Sequence, residues 1–392
     1  MQHRHRILYV SPFAFKASGA DESLIEILRN LPKDRFQTFV VIPRGSPYTE
    51  RLKEVCHKVV SIPMMRLKRS MNPLYWILYL IWLPIEVLIF FYLLLWHHID
   101  LVHINMESTL AAAFSANIVA IPVIIHYRGN TTSRPKWFFD RFLRLVTRIS
   151  HLVICISHTN SLGFIDRNLH HKLKVLYNPV DLVRFSTPKS RSYFLSKGIS
   201  KTTAVVTYVG RLHPRKRVLD LIEAFQIIYE NSHHNLCLAI VGGDPNIDLE
   251  QKYLQILKER VSLVGNDFPV YFIGHEADIP SVLHSSHCLV LPSIDEGFGR
   301  ILVEAMAANV PVVGTRSGAI PELLQNGKYG WLCNTKSPKD LATVIIEVFN
   351  DQTKAMEKAS KAQKYAETVF SPRHYITELT SYYSQFLDSK DA

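Results

Sequence analysis

The chain has 392 residues, of which 47% are apolar, 20% charged and 11% aromatic, and its formal net charge is +11. This composition excludes an intrinsically disordered chain, a collagen-like chain and a small disulfide-rich protein, and the length predicts two domains that each bury a core. Residues 1–185 hold 23 Lys and Arg against 12 Asp and Glu, so the excess positive charge lies in the first half and predicts an anionic partner, either a nucleic acid or an acidic membrane surface.

Short apolar strands alternate with longer helical stretches along the chain, which is the pattern of βαβ units on parallel sheets. Strands are predicted at 7–10, 38–42, 59–62, 101–104, 123–126, 152–156, 173–177, 204–209, 236–241, 270–273, 288–291, 310–314 and 330–333. Helices are predicted at 20–30, within 74–96, and at 109–117, 135–149, 158–166, 218–230, 248–264, 279–285, 299–308, 320–325 and 338–349. We therefore expect an α/β protein of two doubly wound domains, 1–185 and 186–369, joined through a polar stretch at 181–202, with a helix in 370–392 that crosses back to the first domain. Because ligands of open α/β sheets bind at the carboxyl ends of the strands, the expected site is the cleft between two such sheets.

Two features bear on the compartment. The basic N terminus runs directly into a strand-like segment, which predicts no signal peptide. The five scattered cysteines form no CxxC pair, and several lie in apolar runs. This usage predicts reduced core thiols in a cytoplasmic protein.

Residues 74–96 form an apolar run of 23 residues in which Glu86 is the only charge, and the basic residues Arg66, Lys68 and Arg69 precede it. Its length suits a transmembrane helix, but the strands on either side are predicted in one parallel sheet, which cannot be shared across a bilayer. Pro84 interrupts the run, which predicts two short helices that dip into one leaflet; a true span, and burial or an oligomer contact, are the alternatives. Since no nucleic-acid-binding motif is present, we expect an anionic membrane surface as the partner and no nucleic acid.

A basic loop follows the strand predicted at 204–209. It contains Arg211 and Lys216, with Arg215 and Arg217 beside them. Two cations at the carboxyl end of a strand can neutralise a diphosphate and stabilise it as a leaving group. The alternative is a solvated basic loop.

The segment 292–304, PSIDEGFGRILVE, joins a strand to a helix through a glycine-containing loop. Glycines let the backbone approach a ligand closely, and the first amides of the following helix suit a phosphate. Glu296 lies in the loop and Glu304 eight positions later, so one carboxylate can bind a sugar hydroxyl and the other two vicinal ribose hydroxyls. A helix N-cap and a solvated helix face are the alternatives for these two residues.

These residues resemble the family 4 retaining glycosyltransferases of the GT-B fold, in which two Rossmann-like domains face each other across a cleft. The resemblance is carried by Glu296 and Glu304 spaced as E-x7-E, by EGFGRILVEAMA, PVVGT and GAIPE around them, and by GRL at 210–212 with its downstream lysine. The family motif often ends in Lys-Gly, where this chain has Arg217. In the first half the resemblance is weaker and is carried by Ser18 and Gly19 in a small glycine loop, His126 and the segment 178–181.

The resemblance implies a role for each matching residue. Arg211 and Lys216 would bind the donor diphosphate, and the amides of Arg300 and Ile301 would bind a phosphate. Glu304 would bind the ribose, while the donor sugar would be held by Glu296, Phe298 and Gly299. The nucleobase would be bordered by Gly243, Asp244 and His275, and Gly19 would belong to the glycine loop that contacts the donor. His126, Glu296, Arg211 and Lys216 are implied as the catalytic residues. No DxD triplet and no zinc-like His/Cys spacing occur, so we expect a metal-independent reaction with no cofactor beyond a UDP- or GDP-linked sugar as substrate.

The resemblance, taken with the basic and apolar first half, implies a retaining hexosyltransferase in cell-surface polysaccharide synthesis. Its donor would be a nucleotide sugar and its acceptor a lipid-linked saccharide or glycolipid at the inner face of the plasma membrane, to which the protein attaches peripherally or monotopically. The alternatives are a catalytically idle nucleotide-sugar-binding scaffold and an epimerase or phosphorylase on the same fold. The donor, the acceptor and the oligomeric state are left open by the sequence.

Overall fold

The structure is a computed structural model that describes residues 4–12, 19–67, 72–129, 136–190 and 192–388. The chain forms two compact units: unit 1 comprises Met1–Pro179 and Pro372–Ala392, and unit 2 comprises Val180–Ser371. These divisions lie six and two residues from the predicted ones at 185/186 and 369/370. Three residues that carry sequence predictions, Ser18 of the glycine loop and Lys68 and Arg69 of the basic cluster, lie outside the described residues.

The described residues contain thirteen strands and fifteen α-helices. The strands are β1 (His5–Val10), β2 (Phe36–Pro43), β3 (Lys58–Ile62), β4 (Leu101–Ile104), β5 (Val123–Tyr127), β6 (Leu152–Cys155), β7 (Leu173–Val175), β8 (Ala204–Val209), β9 (Leu236–Val241), β10 (Val270–Gly274), β11 (Cys288–Leu291), β12 (Val312–Thr315) and β13 (Trp331–Cys333). The helices are α1 (Gly19–Asn30), α2 (Thr49–Lys53), α3 (Pro73–Trp96), α4 (Ala111–Ile118), α5 (Lys136–Ile149), α6 (His158–Ile165), α7 (Leu182–Ser186), α8 (Val218–Asn231), α9 (Asp248–Ser262), α10 (Ile279–His284), α11 (Arg300–Ala307), α12 (Ile320–Leu323), α13 (Pro338–Asn350), α14 (Gln352–Val369) and α15 (Pro372–Leu387). Every predicted strand is present with its ends within two residues of the prediction, whereas α2, α7 and α14 were not predicted.

Each unit is built on one parallel sheet. The strand order is β3-β2-β1-β4-β5-β6-β7 in unit 1 and β10-β9-β8-β11-β12-β13 in unit 2. The strands are almost continuously apolar because parallel sheets are covered by helices on both faces. The predicted α/β class with two doubly wound sheets is therefore confirmed.

The strands of unit 1 send alternate side chains into two separate cores. Leu8 and Val10 of β1 lie in the core that α3, α4 and α5 cover. Ile7 and Tyr9 lie in the core on the opposite face, which α1 and α15 cover. Helices α3, α4 and α5 thus form one layer over one face of the sheet, because their buried side chains share one core.

Helix α3 differs from the prediction for residues 74–96. It is one continuous helix of 24 residues that contains Pro84, not two short helices. Pro84 lies on the exposed side of the helix. Glu86, the only charge of the run, is 1% exposed and accepts a hydrogen bond from the Met65 amide at 3.2 Å. By length and composition α3 could cross a membrane, but it packs along the sheet as a crossover helix.

The predicted linker at 181–202 is part of unit 2. It begins with α7, where Phe185 is 2% exposed and Asp181 caps the helix by accepting a hydrogen bond from the Arg184 amide at 3.0 Å. All five cysteines are free thiols, and four of them are buried.

Candidate functional site

The site lies at the carboxyl edge of the unit 2 sheet. Its strand order reverses between β8 and β11, and in open α/β sheets such a switch point opens a crevice at the strand ends. The loops after β10, β9, β8 and β11 stand side by side in that order along the edge, over about 14 Å at the usual strand spacing. The predicted site residues of unit 2 lie in these four loops and in the helix that follows the last of them.

The loop after β8 brings its lysine to the loop after β11. Lys216 ends a short 3-10 turn at Pro214–Lys216, and its Nζ lies 2.5 Å from Glu296 Oε2. The backbones of the two loops are also joined, since the Ile294 amide donates to the Arg215 carbonyl at 2.9 Å. Arg211 lies in the same loop, and its side chain is exposed. Its carbonyl accepts a hydrogen bond from the Tyr208 hydroxyl at 2.8 Å.

Arg217, where the family motif often has glycine, adopts a left-handed conformation with φ of +54°. A side chain is strained in this conformation. Its guanidinium compensates by pairing with the Asp220 carboxylate at 2.5 and 2.8 Å. The departure from the family pattern therefore keeps the loop shape that glycine would have favoured.

The Lys216–Glu296 pair is partly shielded from water, with side-chain exposures of 23% and 15%. Burial acts to raise the pKa of Glu296, but the Lys216 ammonium, its hydrogen bond and the nearby Arg215 outweigh burial, and the pKa is lowered. Glu296 is thus an ionised carboxylate, which can accept hydrogen bonds from sugar hydroxyls.

The backbone at Gly318 and Ala319 packs against the backbone of Glu296 and fixes its position. The Ala319 amide donates to the Glu296 carbonyl at 2.8 Å. A Cβ at position 318 would lie 2.3 Å from the Glu296 carbonyl oxygen and 2.5 Å from its amide nitrogen. The GAIPE segment therefore acts as a support for the EGFG loop, and only glycine fits at its first position.

Helix α11 carries the second predicted carboxylate. Gly299, with φ of +79°, is its N-cap, so the amides of Arg300 and Ile301 are in the first turn. Phe298 is buried beside them. One turn further, Glu304 Oε1 lies 2.7 Å from Arg300 Nε, so the Arg300 side chain points along the helix to this carboxylate.

The loops after β9 and β10 hold the residues predicted near the nucleobase. Gly243 has φ of +92°, and the Asp244 amide donates to the Glu250 carboxylate at 3.0 Å. His275 follows the end of β10 and is exposed. The same Glu250 carboxylate also accepts from the Leu212 amide at 3.3 Å, so it ties the loop after β9 to the loop after β8.

Glu250 is a site residue that the sequence did not indicate. It is 3% exposed in the first turn of α9. Nothing in its sequence neighbourhood distinguishes it from an ordinary acidic residue at a helix N terminus, because one of its two partners, Leu212, lies 38 residues away in the loop after β8.

His126 lies at the end of β5, inside a buried polar cluster. Its ring is fully buried in unit 1, with Nδ1 at 2.6 Å from His103 Nε2 and Nε2 at 3.0 Å from the Tyr375 hydroxyl. His103 Nδ1 in turn lies 2.5 Å from the Tyr383 hydroxyl, which pairs with that of Tyr9 at 2.7 Å. Both nitrogens of His126 are thus hydrogen-bonded inside unit 1, and the catalytic role that the family resemblance implies for this residue stays a prediction.

Replacing His126 with asparagine should make the stability of unit 1 less sensitive to acid. Burial and then Arg128 lower the pKa of His103 to about 3, and burial, His103 and Arg128 lower the pKa of His126. A lowered folded-state pKa gives stability that is complete above the unfolded value of about 6.5 and is lost as the pH falls below it. The contribution of each histidine to the free energy of unfolding then falls by about 1.4 kcal/mol between pH 7.5 and 5.5.

The measurement is urea unfolding followed by tryptophan fluorescence, since four of the five tryptophans (76, 82, 96 and 137) are in unit 1. Between the two pH values the free energy of unfolding of His126→Asn should fall by about 1.4 kcal/mol less than that of the wild type. The exposed His233 provides the matched control, and His233→Asn should lose as much as the wild type. An equal loss in all three proteins would contradict the buried neutral state of His126.

A second polar cluster lies at the carboxyl edge of the unit 1 sheet. Arg128, just after β5, donates from Nη1 to Asn178 Oδ1 at 2.6 Å and from Nη2 to Asn105 Oδ1 at 3.0 Å. Its amide donates to Glu107 at 2.9 Å, and burial raises the pKa of that carboxyl. The sequence prediction missed these roles, although each residue lies within three positions of a strand end. Gly19, the predicted donor-loop glycine, is the first residue of α1, and a Cβ there would meet no atom within 4 Å.

The two halves of the chain match two family models. Residues 17–184 match Glycosyltransferase Family 4, and residues 190–369 match Glycosyl transferases group 1. Together the two matches extend over most of the chain and meet near the boundary between the two units.

Curated relatives are glycosyltransferases of differing specificity. The UDP-Gal:α-D-GlcNAc-diphosphoundecaprenol α-1,3-galactosyltransferase of Escherichia coli is 24% identical over 356 residues, 86% of each chain. The capsular polysaccharide biosynthesis glycosyltransferase CapM of Staphylococcus aureus is 26% identical over 300 residues, 73% of this chain and 76% of that protein. The N-acetyl-α-D-glucosaminyl L-malate synthase of Bacillus anthracis is 28% identical over 248 residues, which are 63% of this chain and 61% of the relative's length.

Solved structures share the fold. The crystal structure of Anabaena HepE in complex with UDP and glucose has a TM-score of 0.79 at 25% identity and covers 97% of this chain and 100% of that one. The lipopolysaccharide outer core galactosyltransferase WaaB has a TM-score of 0.68 at 17% identity, with coverage of 96% and 99%.

Proposed function

Because this chain belongs to the family 4, group 1 glycosyltransferases of the GT-B fold and is a transferase, we propose that it moves a hexosyl unit from a nucleotide sugar to a lipid-linked saccharide or glycolipid. The observation that carries the proposal is the Lys216–Glu296 pair at the switch point of the unit 2 sheet, with Arg211 in the same loop. A cation for the diphosphate and a carboxylate for the sugar stand within 2.5 Å of each other.

The cations would act on the leaving group. When the bond from the anomeric carbon to the diphosphate oxygen breaks, negative charge grows on that oxygen. Lys216 and Arg211 would stabilise this charge, and we propose that they make a divalent metal ion unnecessary. When the donor binds, the Lys216 ammonium, which pairs with Glu296 alone in its absence, would divide its hydrogen bonds between Glu296 and the diphosphate.

The carboxylates and helix amides would hold the donor. Glu296 would accept hydroxyl hydrogen bonds from the sugar beside Phe298 and Gly299, Glu304 would accept those of the ribose, and the first amides of α11 would bind a phosphate oxygen. Gly243, Asp244 and His275 would border the base. A UDP-linked hexose is the first donor to test because Anabaena HepE is described with UDP and glucose and the E. coli relative is named for UDP-Gal; a GDP-linked hexose is the second.

We propose that the anomeric configuration is retained by front-face attack assisted by the leaving phosphate. A double displacement would require a carboxylate nucleophile beneath the anomeric carbon. Glu296 is paired with Lys216 and supported by its backbone contacts with 318 and 319. These contacts suit it to holding the sugar.

The apolar helix α3 supports a membrane-held acceptor. Its exposed side consists of large apolar side chains, and its only carboxylate is turned inward. The relatives named for diphosphoundecaprenol and capsular polysaccharide act in lipid-linked or cell-surface saccharide synthesis. We propose that the enzyme attaches monotopically through α3 to the cytoplasmic face of the plasma membrane, where its acceptor is held.

The test has two stages. Isothermal titration of the purified chain against UDP-, GDP- and ADP-sugars should identify one donor, and the radiolabelled form of that donor should then transfer its sugar to the lipid extract of membranes that contain polyprenyl-diphosphate saccharides. NMR of the product should show the same anomeric configuration as the donor. Binding of a donor without transfer to any lipid or saccharide acceptor would contradict the proposal and favour a scaffold.

A further inference from the structure

Helix α3 leaves a long apolar face exposed. Ten of its large apolar side chains are between 42% and 67% exposed: Leu74, Ile77, Leu78, Leu80, Ile81, Ile85, Leu88, Tyr92, Leu95 and Trp96. They lie on one side of a helix of 24 residues, about 36 Å long. Soluble monomers rarely expose such a contiguous patch unless it binds a partner or a membrane.

Helix α5 extends this face with aromatic side chains. Trp137 and Phe138 are 61% and 38% exposed, and the Phe138 ring lies 6.4 Å from that of Trp76 on α3. Both helices are crossovers on the same sheet face, with their inner sides in one core. Their outer sides therefore look in the same direction.

Helix α5 also carries a stripe of arginines. Arg141, Arg144 and Arg148 are exposed at helical spacings of three and four, while Leu143 and Val146 between them are buried. Among the described residues none of the three arginines has a carboxylate within ion-pair distance, and Arg141 lies over the Trp137 ring at 5.4 Å. The stripe is thus a row of uncompensated positive charges beside an uncharged apolar face.

We propose that α3 and α5 together form a membrane-docking face that selects anionic bilayers. Helix α3 lies flat in the interface with its apolar side chains among the acyl chains, and the α5 arginines bind lipid phosphate groups. Trp137 and Phe138 lie between them, at the depth that aromatic side chains prefer. The inference rests on the proposed membrane attachment and adds to it the element that recognises headgroup charge.

The charge pattern favours a bilayer over the other occupants. A nucleic acid would pair with the arginines but leave the apolar face of α3 uncovered. A second copy of this chain, paired through the same face, would offer apolar side chains and more arginines but no counter-charge for the arginine stripe. An anionic bilayer satisfies both parts of the face, since it offers acyl chains and phosphates in adjacent layers.

The experiment is vesicle flotation of the full chain with phosphatidylcholine alone and with phosphatidylcholine plus phosphatidylglycerol. The wild type should bind both and prefer the anionic vesicles. R141Q/R144Q/R148Q should lose about a hundredfold in partitioning to the anionic vesicles, since each basic residue near such a surface contributes about fivefold, and should bind neutral vesicles as the wild type does. The control K339Q/K361Q/K364Q, which removes the same charge from exposed positions of unit 2, should change neither.

The α3 part has its own variant. I81S/L88S, at two highly exposed positions, should weaken binding to both kinds of vesicle. Unchanged preference for anionic vesicles in the arginine variant would overturn the role of α5, while failure of the wild type to bind any vesicle would overturn the proposed membrane attachment. A stable dimer by light scattering in which this face is protected from labelling would overturn the choice of a bilayer as the occupant. Nucleotide-sugar titration of each variant should match the wild type and verifies that unit 2 is intact.

Discussion

Replacing Lys216 with alanine should lower kcat for sugar transfer by about a hundred- to a thousandfold, the usual effect of removing one group that stabilises transition-state charge. The charge that Lys216 meets grows only as the donor bond breaks, so kcat should fall more than the affinity for the donor. The measurement is steady-state transfer from the identified nucleotide sugar, with donor affinity from calorimetry. Lys361→Ala, which removes an exposed lysine of α14, is the matched control and should be indistinguishable from the wild type.

A double variant separates chemistry from structure at this pair. Lys216→Ala alone leaves the Glu296 carboxylate without its nearest cation at 15% side-chain exposure, which should also lower the unfolding midpoint of unit 2. Lys216→Ala combined with Glu296→Gln removes the unpaired charge and should restore the midpoint but not kcat. Recovery of kcat in the double variant would show that the pair only maintains the loops, contrary to the proposed mechanism.

Replacing Gly318 with alanine should destabilise unit 2 by about 3 kcal/mol, because the new Cβ would overlap backbone atoms of Glu296. Backbone cannot move aside as a flexible side chain can, so the EGFG loop must shift. A shift of about 1 Å at a catalytic group typically lowers the rate about a hundredfold. Chemical unfolding and kcat, measured at a temperature where the variant remains folded, check both effects.

Gly198 supplies the matched control for this substitution. It also has a positive φ, +82°, but a Cβ there would meet no atom within 4 Å. Gly198→Ala should therefore cost only the strain of a left-handed alanine, about 1–2 kcal/mol, and leave kcat unchanged. Equal effects of the two substitutions would show that backbone strain, and not the contact with Glu296, dominates at 318.

The elements that the sequence predicted well are those whose signal is local. Apolar runs of four to six residues between helical stretches indicated all thirteen strands, and the strand–loop–helix at 288–307 placed Glu296 and Glu304 correctly in a loop and a helix. Helix α14 was missed although Ala355, Ala359 and Ala362 recur at helical spacing, because alanine gives a weaker periodic signal than larger apolar residues. Proline was expected to break the helix at residue 84, but the packing of α3 on its neighbours keeps the helix continuous there.

The parts that could not be predicted depend on contacts between distant segments. Glu250 joins two loops that are 32 residues apart in sequence, from Leu212 to Asp244, and the role of Gly318 depends on the backbone of Glu296. His126 follows the family pattern in sequence, yet its burial arises from His103 and Tyr375, which only the folded chain brings together. A motif thus indicated which residue types the site contains but not which way each side chain turns.

The return of the chain to unit 1 at α15 affects how the protein is made. Tyr375, Leu379 and Tyr383 complete the core on the α1 side of the first sheet, but residues 180–371, 192 in all, are synthesised before them. At ribosomal speeds of about 5–20 residues per second, the α1 side of the nascent first sheet therefore remains without α15 for roughly 10–40 s. During this interval the intervening unit has time to fold first, while the apolar face that α15 later covers is exposed to aggregation.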